Sequence, residues 1–181
     1  MSLLEAAPDE WKALIATGLY AGLRSGELMN LQWQDINLRN RTITIQGKDD
    51  WQPKNRKIRV IPISSMLLAY LQKHPRHISS PYVFCRPDGT RRSWVHKDLP
   101  RIAEGVGLTN VTPHILRHTF ASWLVMEGVD LPTVQKLLGH SDITTTMIYA
   151  HLAPDHVKAA VERLDFSDGH SMAPGAIQGT T

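Results

Sequence analysis

Thr112-Pro113-His114-Ile115-Leu116-Arg117-His118-Thr119-Phe120, continuing through Gly128 and Leu138-Gly139-His140-Ser141 to Tyr149, is the stretch on which the fold turns. Thr112 followed by Pro113 is a strong helix start. The Thr hydroxyl can accept from an orphan backbone N–H, and Pro brings a preset φ where its missing donor is not needed. On the helix that follows, His114 and Arg117 stand three apart and project from one face. His114 lies in the first turn, where free N–H groups and the helix dipole favour an anion. Phe120, Leu124 and Val125 lie on another arc and read as core. Gly128 ends this helix, Asp130 and Pro132 open another that runs to Leu138, and Gly139 stops it. His140 falls on the turn, Ser141 or Asp142 is expected to cap a short last helix, and Tyr149 projects between Ile148 and Ala150.

Imidazole, guanidinium, imidazole and phenol therefore fall on successive helix starts and ends, where side chains converge on a ligand without sacrificing the core. Phosphoryl transfer fits that set. A phosphodiester transition state spreads negative charge over its non-bridging oxygens, and the planar fork of an arginine binds two such oxygens at once.

With 181 residues, of which 42% are hydrophobic, the chain is long enough for one ordinary domain with a sizeable core. No apolar run approaches the roughly 20 residues that span a bilayer, and the N-terminus lacks the pattern of a signal peptide. A cytoplasmic protein with no membrane partner is expected. Cys85 is the single cysteine, which leaves no intrachain disulfide, and it reads as a small buried hydrophobe. The formal charge of +3 says little by itself. Its distribution says more, because Arg39, Arg41, Lys48, Lys54, Arg56, Lys57 and Arg59 form one basic region and Arg86, Arg91, Arg92, Lys97 and Arg101 a second. On charge alone these read as a solvated sheet face and loop.

Earlier in the chain, Met1-Ser2-Leu3 carries no pattern. Pro8 and Asp9 start a core helix with Trp11, Leu14, Ile15 and Leu19 at helical spacing, which breaks around Gly22. A second helix restarts with Ser25 as its expected cap, placing Arg24 at a helix start with Glu27 as its natural ion-pair partner. Thr42–Gln46 and Lys57–Ile63 alternate with period two and read as strands of a small antiparallel sheet. The Gly47–Arg56 loop between them is longer than a hairpin needs, and long loops on a rigid scaffold often carry function. Within it Lys54 reads as a solvated lysine or as a point-charge proton donor, and Trp51 as a cover for the sheet edge. Ser64 or Ser65 caps a helix through Leu71, Tyr82–Phe84 reads as a short strand, and Ser93 starts a helix carrying Trp94, Leu99 and Ile102. Pro154 to Leu164 is the last helical pattern, and the Ser-, Gly- and Pro-rich residues 166–181 read as a disordered tail.

Gly22-Leu23-Arg24-Ser25-Gly26-Glu27-Leu28, the lysine loop ahead of Arg59-Val60-Ile61-Pro62, the box His114-Ile115-Leu116-Arg117-His118-Thr119, and Leu138-Gly139-His140-Ser141 leading to Tyr149-Ala150-His151 together resemble the tyrosine recombinase (phage integrase) family. The resemblance covers about Asp9 to Leu164 in the family's order, and the joint occurrence of these motifs is far more specific than any one of them. It implies an α+β, mainly helical catalytic domain with a small antiparallel sheet, of the DNA breaking-rejoining type. It also implies a site-specific recombinase that cleaves and rejoins DNA through a 3′-phosphotyrosine link. Tyr149 would be the nucleophile, Arg24 and Arg117 the clamp on the non-bridging oxygens, and His140 a further donor. Lys54 would be the general acid for the leaving 5′-oxygen, with Lys48 and Lys57 as competitors in the same region, and His114 would assist proton movement at the nucleophile. Glu27 is expected to support the Arg24 turn, and His118 to be a packing or supporting group.

No cofactor or metal is implied, and the partners are double-stranded DNA and other recombinase protomers on paired sites, with three arrangements open to the Pro154–Leu164 helix: docking on a neighbouring protomer, packing in cis or staying loose. Family members usually carry a helical core-binding domain ahead of the catalytic one. With the catalytic pattern beginning almost at the start, the expectation is a catalytic domain over residues 1–165 without that clamp, binding DNA weakly and with strong salt dependence. Two other readings stand beside this one. The first is a non-catalytic DNA-binding remnant of the same fold. The second is a zinc-dependent hydrolase, because His114 and His118 have the i, i+4 spacing of zinc ligands, with His140 or His151 as a third, although no HExxH glutamate accompanies them.

Overall fold

Helix α2, Asp9–Ala21, is the element against which much of the fold is laid, packing along α4, Ser65–Lys73, and α6, Pro113–Met126. The computed structural model describes residues 3–48, 50–54, 57–93 and 95–154. In chain order the remaining elements are α1 (Leu3–Ala6), α3 (Ser25–Met29), β1 (Ile36–Asn37), β2 (Thr42–Ile45), β3 (Arg59–Pro62), α5 (Val95–Glu104), α7 (Leu131–Leu138) and α8 (Thr144–Met147). Short 3₁₀ turns cover Trp33–Asp35 and Ala150–Leu152. The architecture is mainly helical with one three-stranded antiparallel sheet, ordered β1-β2-β3, in which Ile43 faces both Ile36 and Ile61. Among the described residues no helix is long and apolar enough to cross a membrane.

Two apolar clusters hold these elements. The larger joins α1 to α5, the sheet and Leu116, with Leu14, Ile15, Leu28, Ile43, Ile61 and Leu67 wholly buried. The smaller is Phe120, Ala121, Val125, Val134, Leu138 and Tyr149. Helix α6 contributes to both, because its apolar arc is long enough to face α2 at one end and α7 at the other.

Several boundaries follow from local chemistry. Thr112 Oγ1 accepts from Ile115 N at 3.2 Å, Asp130 Oδ1 from Thr133 N at 2.8 Å, and Ser64 Oγ from Leu67 N at 3.2 Å, so each side chain satisfies a first-turn donor. Others differ from expectation. Leu3 and Leu4, which carry no periodic signal, form α1 and bury against the main cluster. Arg24, not Ser25, is the residue before α3, and the Glu27 carboxylate takes the Arg24 N–H at 2.8 Å. Tyr82–Phe84 forms no strand: Tyr82 makes a single bridge to Gln32, held by Trp33 N donating to Pro81 O and Val83 N donating to Leu31 O. Helix α8 starts at Thr144, after Asp142 accepts the Thr144 N–H at 2.9 Å. Trp51 stands beside Gly26 of α3 and bridges to Lys48. Trp94 and the helical pattern beyond Pro154 lie outside the described residues.

Candidate active site

Helices α2 and α7 end in the same way, and the site is built on those two ends. Gly22 closes α2 at φ 61° and Gly139 closes α7 at φ 64°, a left-handed conformation that glycine enters without the cost of a Cβ. At Gly22 the space a Cβ would need is filled by the Phe120 ring. The turns leave carbonyls without helical partners, and guanidinium groups take them. Arg117 donates from Nη1 to Gly22 O at 2.6 Å and from Nη2 to Leu138 O at 2.7 Å, while Arg24 donates from Nη2 to Gly139 O at 3.1 Å. Cations at helix C-termini also meet the favourable end of the dipole.

Glu27 fixes the cluster from below. Its side chain is 1% exposed and accepts Arg24 Nη1 at 3.1 Å, Arg59 Nη1 at 2.8 Å and Arg59 Nη2 at 2.6 Å, while Arg59 Nε donates to Leu137 O at 3.1 Å. Burial pushes the Glu27 carboxyl up, but its bonds to Arg59 and the charges of Arg59 and Arg24 outweigh that and hold it below the ordinary range. Two guanidinium groups thus share one carboxylate. Arg117, 6% exposed, is lowered to about 9 by burial and by the charges of Arg24 and Arg59, so it remains cationic at neutral pH.

Above these groups opens a cleft of about 570 Å³, lined by Arg24, Lys54, His114, Arg117 and His140 together with Ser25, Ser141 and Thr145. Five of the six residues singled out from the sequence therefore meet in one concavity, with the first turn of α6 on its wall. His140 Nδ1 lies 2.9 Å from Thr146 Oγ1. Burial first, then Arg117, Arg24, Arg59 and His118, lower the imidazole to about 4, so it is neutral at pH 7. Lys54 is exposed at the cleft mouth. Its competitor Lys48 is committed elsewhere, donating to Asp35 Oδ2 and Asn30 O, each at 2.7 Å.

Tyr149, the sixth, is not among the residues lining that cleft. It is 6% exposed, its ring belongs to the smaller apolar cluster, and its hydroxyl meets His118 Nδ1 at 2.6 Å. Burial raises the phenol above its ordinary value, against the pull of Arg117. His118 Nε2 in turn meets His114 Nε2 at 2.7 Å. The two ring nitrogens of the proposed zinc pair are thus turned on each other, and among the described residues no three His, Cys, Asp or Glu side chains gather as a metal-binding group. Sequence reasoning gave His118 only a supporting part and overlooked Arg59 as the second partner of Glu27. The one available signal for His118 was its i, i+4 spacing from His114, whereas its contact with Tyr149 spans 31 positions.

Residues 2–156 match the model of the phage integrase family. The tyrosine recombinase XerA of Pyrococcus horikoshii is 39% identical over 158 residues, covering 83% of this chain and 53% of its own. A crystal structure of a XerA recombinase superposes with a TM-score of 0.73 at 26% identity, covering 89% of this chain and 61% of that one. The Tn1549 transposon integrase in complex with circular intermediate DNA gives 0.68 at 26% identity, with 86% and 60% covered. The chain spans about half the length of the curated relatives it matches. It belongs to the phage integrase family.

Proposed function

We propose that this chain is the catalytic part of a cytoplasmic site-specific DNA recombinase, cutting and rejoining strands through Tyr149. The observation that carries the proposal is the cleft in which Arg24 and Arg117 are each anchored by a helix-end carbonyl beside Lys54, His114 and His140. Three guanidiniums against one buried carboxylate leave an excess of two positive charges, the complement of the doubly negative pentacoordinate phosphorus formed when an alkoxide-type nucleophile attacks a phosphodiester. Because both arginines are already fixed to backbone carbonyls, the clamp needs little reorganisation during the reaction.

The residues divide the work as follows. Arg24 and Arg117 hold the non-bridging oxygens, and neutral His140 adds a hydrogen bond. The Tyr149 oxygen attacks phosphorus, the bond to the 5′-oxygen breaks, and the ammonium of Lys54 supplies the proton that this leaving oxygen takes up. The strand end stays esterified to Tyr149 as a 3′-phosphotyrosine, so a 5′-hydroxyl can reverse the step without an external energy source. Double-stranded DNA and further protomers on paired sites are the partners; the solved Tn1549 integrase complex with circular intermediate DNA supports the first.

Withdrawal of Tyr149 from the cleft favours a second reading, a DNA-binding remnant that keeps the fold without the chemistry. One experiment separates them. A pool of nicked duplexes with a randomised core is incubated with the protein or with Tyr149→Phe and resolved on a denaturing gel. A covalent protein–DNA band from the wild type alone is expected. Retarded mobility on native gels with no covalent band from either protein selects the remnant, and a band that persists in Tyr149→Phe overturns the assignment of the nucleophile.

A further inference from the structure

We propose that His118 is a catalytic residue that takes the phenolic proton of Tyr149 and hands it to His114, so that the nucleophile is activated through two imidazoles in series; this rests on the strand-cleavage reading above. The relay takes the phenol as the donor in the contact of 2.6 Å, which requires a bare His118 Nδ1. The neutral His118 ring then carries its hydrogen on Nε2 and donates it to His114 Nε2 at 2.7 Å, which leaves the His114 hydrogen on Nδ1. Proton movement from Tyr149 to His118 Nδ1 and from His118 Nε2 to His114 Nε2 breaks the phenolic O–H and the His118 Nε2–H bonds and forms His118 Nδ1–H and His114 Nε2–H. The result is a phenolate and a protonated His114, which lines the cleft.

The surroundings favour this role over simple packing. His118 is half-buried, with its ring centroid 5.5 Å from that of Tyr149 and 4.2 Å from that of His114, the latter pair edge-on. The charged and titratable groups facing it are His114 and Arg117 on its own helix, His140 from the turn after α7, and Tyr149. Burial, then His114 and Arg117, keep its pKa below the ordinary imidazole value, so it is a neutral acceptor at pH 7 and resists holding the proton itself. A proton parked on His118 would face Arg117 at close range, whereas one passed to His114 reaches the exposed side of α6.

The test measures single-turnover formation of the covalent adduct on the nicked duplex pool at low salt, from pH 6 to 9, for wild type, His118→Phe and His118→Asn. Each is made with tyrosine or with a more acidic fluorinated tyrosine at position 149. Loss of general-base assistance is expected to slow adduct formation at pH 7 by about 10²–10⁴-fold. Raised pH and the acidic phenol should each recover at least part of the loss in both variants, while Arg117→Lys, which weakens the phosphate clamp, should gain nothing from the acidic phenol. Either His118 variant cleaving within threefold of wild type, or a loss that neither pH nor the acidic phenol relieves, overturns the relay. An adduct from wild type together with unaffected His118 variants sinks the relay alone; no adduct from wild type sinks the strand-cleavage reading and the relay with it.

Discussion

Glu27 sits at 1% side-chain exposure between two guanidinium groups, and its titration ties the site to the stability of the fold. The unfolded carboxyl titrates near about 4.3, and in the folded chain Arg59 and Arg24 hold it lower against the upward push of burial. A depressed carboxyl contributes stability that is fully present above its unfolded pKa and is lost as pH falls through its folded value. Glu27→Gln should therefore flatten the acid limb of a stability–pH curve below about pH 4.3. At neutral pH it should cost about 3–5 kcal/mol, because Arg59 is left buried without its counter-charge; urea denaturation from pH 3 to 7 measures both. His140 moves in the opposite sense when charge is added. Burial and then Arg117, Arg24, Arg59 and His118 keep it near 4 in the open cleft, so an oxyanion among those arginines should raise it toward the ordinary imidazole value near about 6.5. NMR titration of the His140 ring with and without inorganic tungstate checks this; an unmoved midpoint with tungstate bound would remove His140 from contact with the phosphate. Arg24, Lys54, His114, Arg117 and His140, which line one cleft, were legible as a set through the resemblance of their motifs, Lys54 having no local signal to set it apart from a solvated lysine. The Tyr149–His118 and Arg59–Glu27 contacts were not, since they join positions 31 and 32 apart and depend on how the helices pack.

Among the secondary-structure elements, the ends of α2 and α7 matter more than their lengths, because each turns a carbonyl onto a site arginine. Gly139→Ala tests this. The left-handed φ of 64° penalises any Cβ by about 1–2 kcal/mol, and a Cβ there would stand 2.9 Å from Arg59 Cδ. Relief requires Arg59 or the Gly139 turn to move, and either shift loosens the bond from Arg24 Nη2 to Gly139 O. Thermal melts should show the stability loss, and adduct formation should fall by more than that loss explains, since the protein remains folded at 25 °C. A variant as active as wild type would mean that the turn carbonyl does not position Arg24. The starts of α6 and α7 and the stop at Gly139 could be read beforehand because capping side chains and a left-handed glycine act within a few residues. Helix α1, of four residues, and strand β1, of two, carry no period to read. They exist because Leu3, Leu4 and Ile36 bury against the main cluster, a tertiary cause that overrides weak local preference.

Across the whole molecule, part of the two basic regions of the sequence is spent on partners within the fold. Lys48 is taken by Asp35, Arg59 by Glu27 and Arg91 by Asn30, while Arg92 lies 4.3 Å over the ring of Trp11 and Arg86 bonds Ser93. The cationic side chains that line the cleft are Arg24, Lys54 and Arg117, of which only Lys54 belongs to a basic region of the sequence. Net charge of +3 is thus a poor guide to DNA affinity, and salt dependence is a better one. Each basic group that neutralises a phosphate contributes about 0.9 to the slope of log affinity against log salt. Lys54→Ala should weaken duplex binding alike for all sequences and reduce that slope by about 1. Lys48→Ala removes the same formal charge from the same loop, yet it should leave the slope unchanged. Its effect should appear as a loss of about 3 kcal/mol in stability, because the Asp35 carboxylate stays buried without its counter-ion. Fluorescence anisotropy with a labelled duplex between 20 and 200 mM salt, beside urea denaturation of both variants, measures the pair. If Lys48→Ala lowered the slope and Lys54→Ala did not, the lysine that reaches DNA would be Lys48, and the assignment of the general acid would move with it.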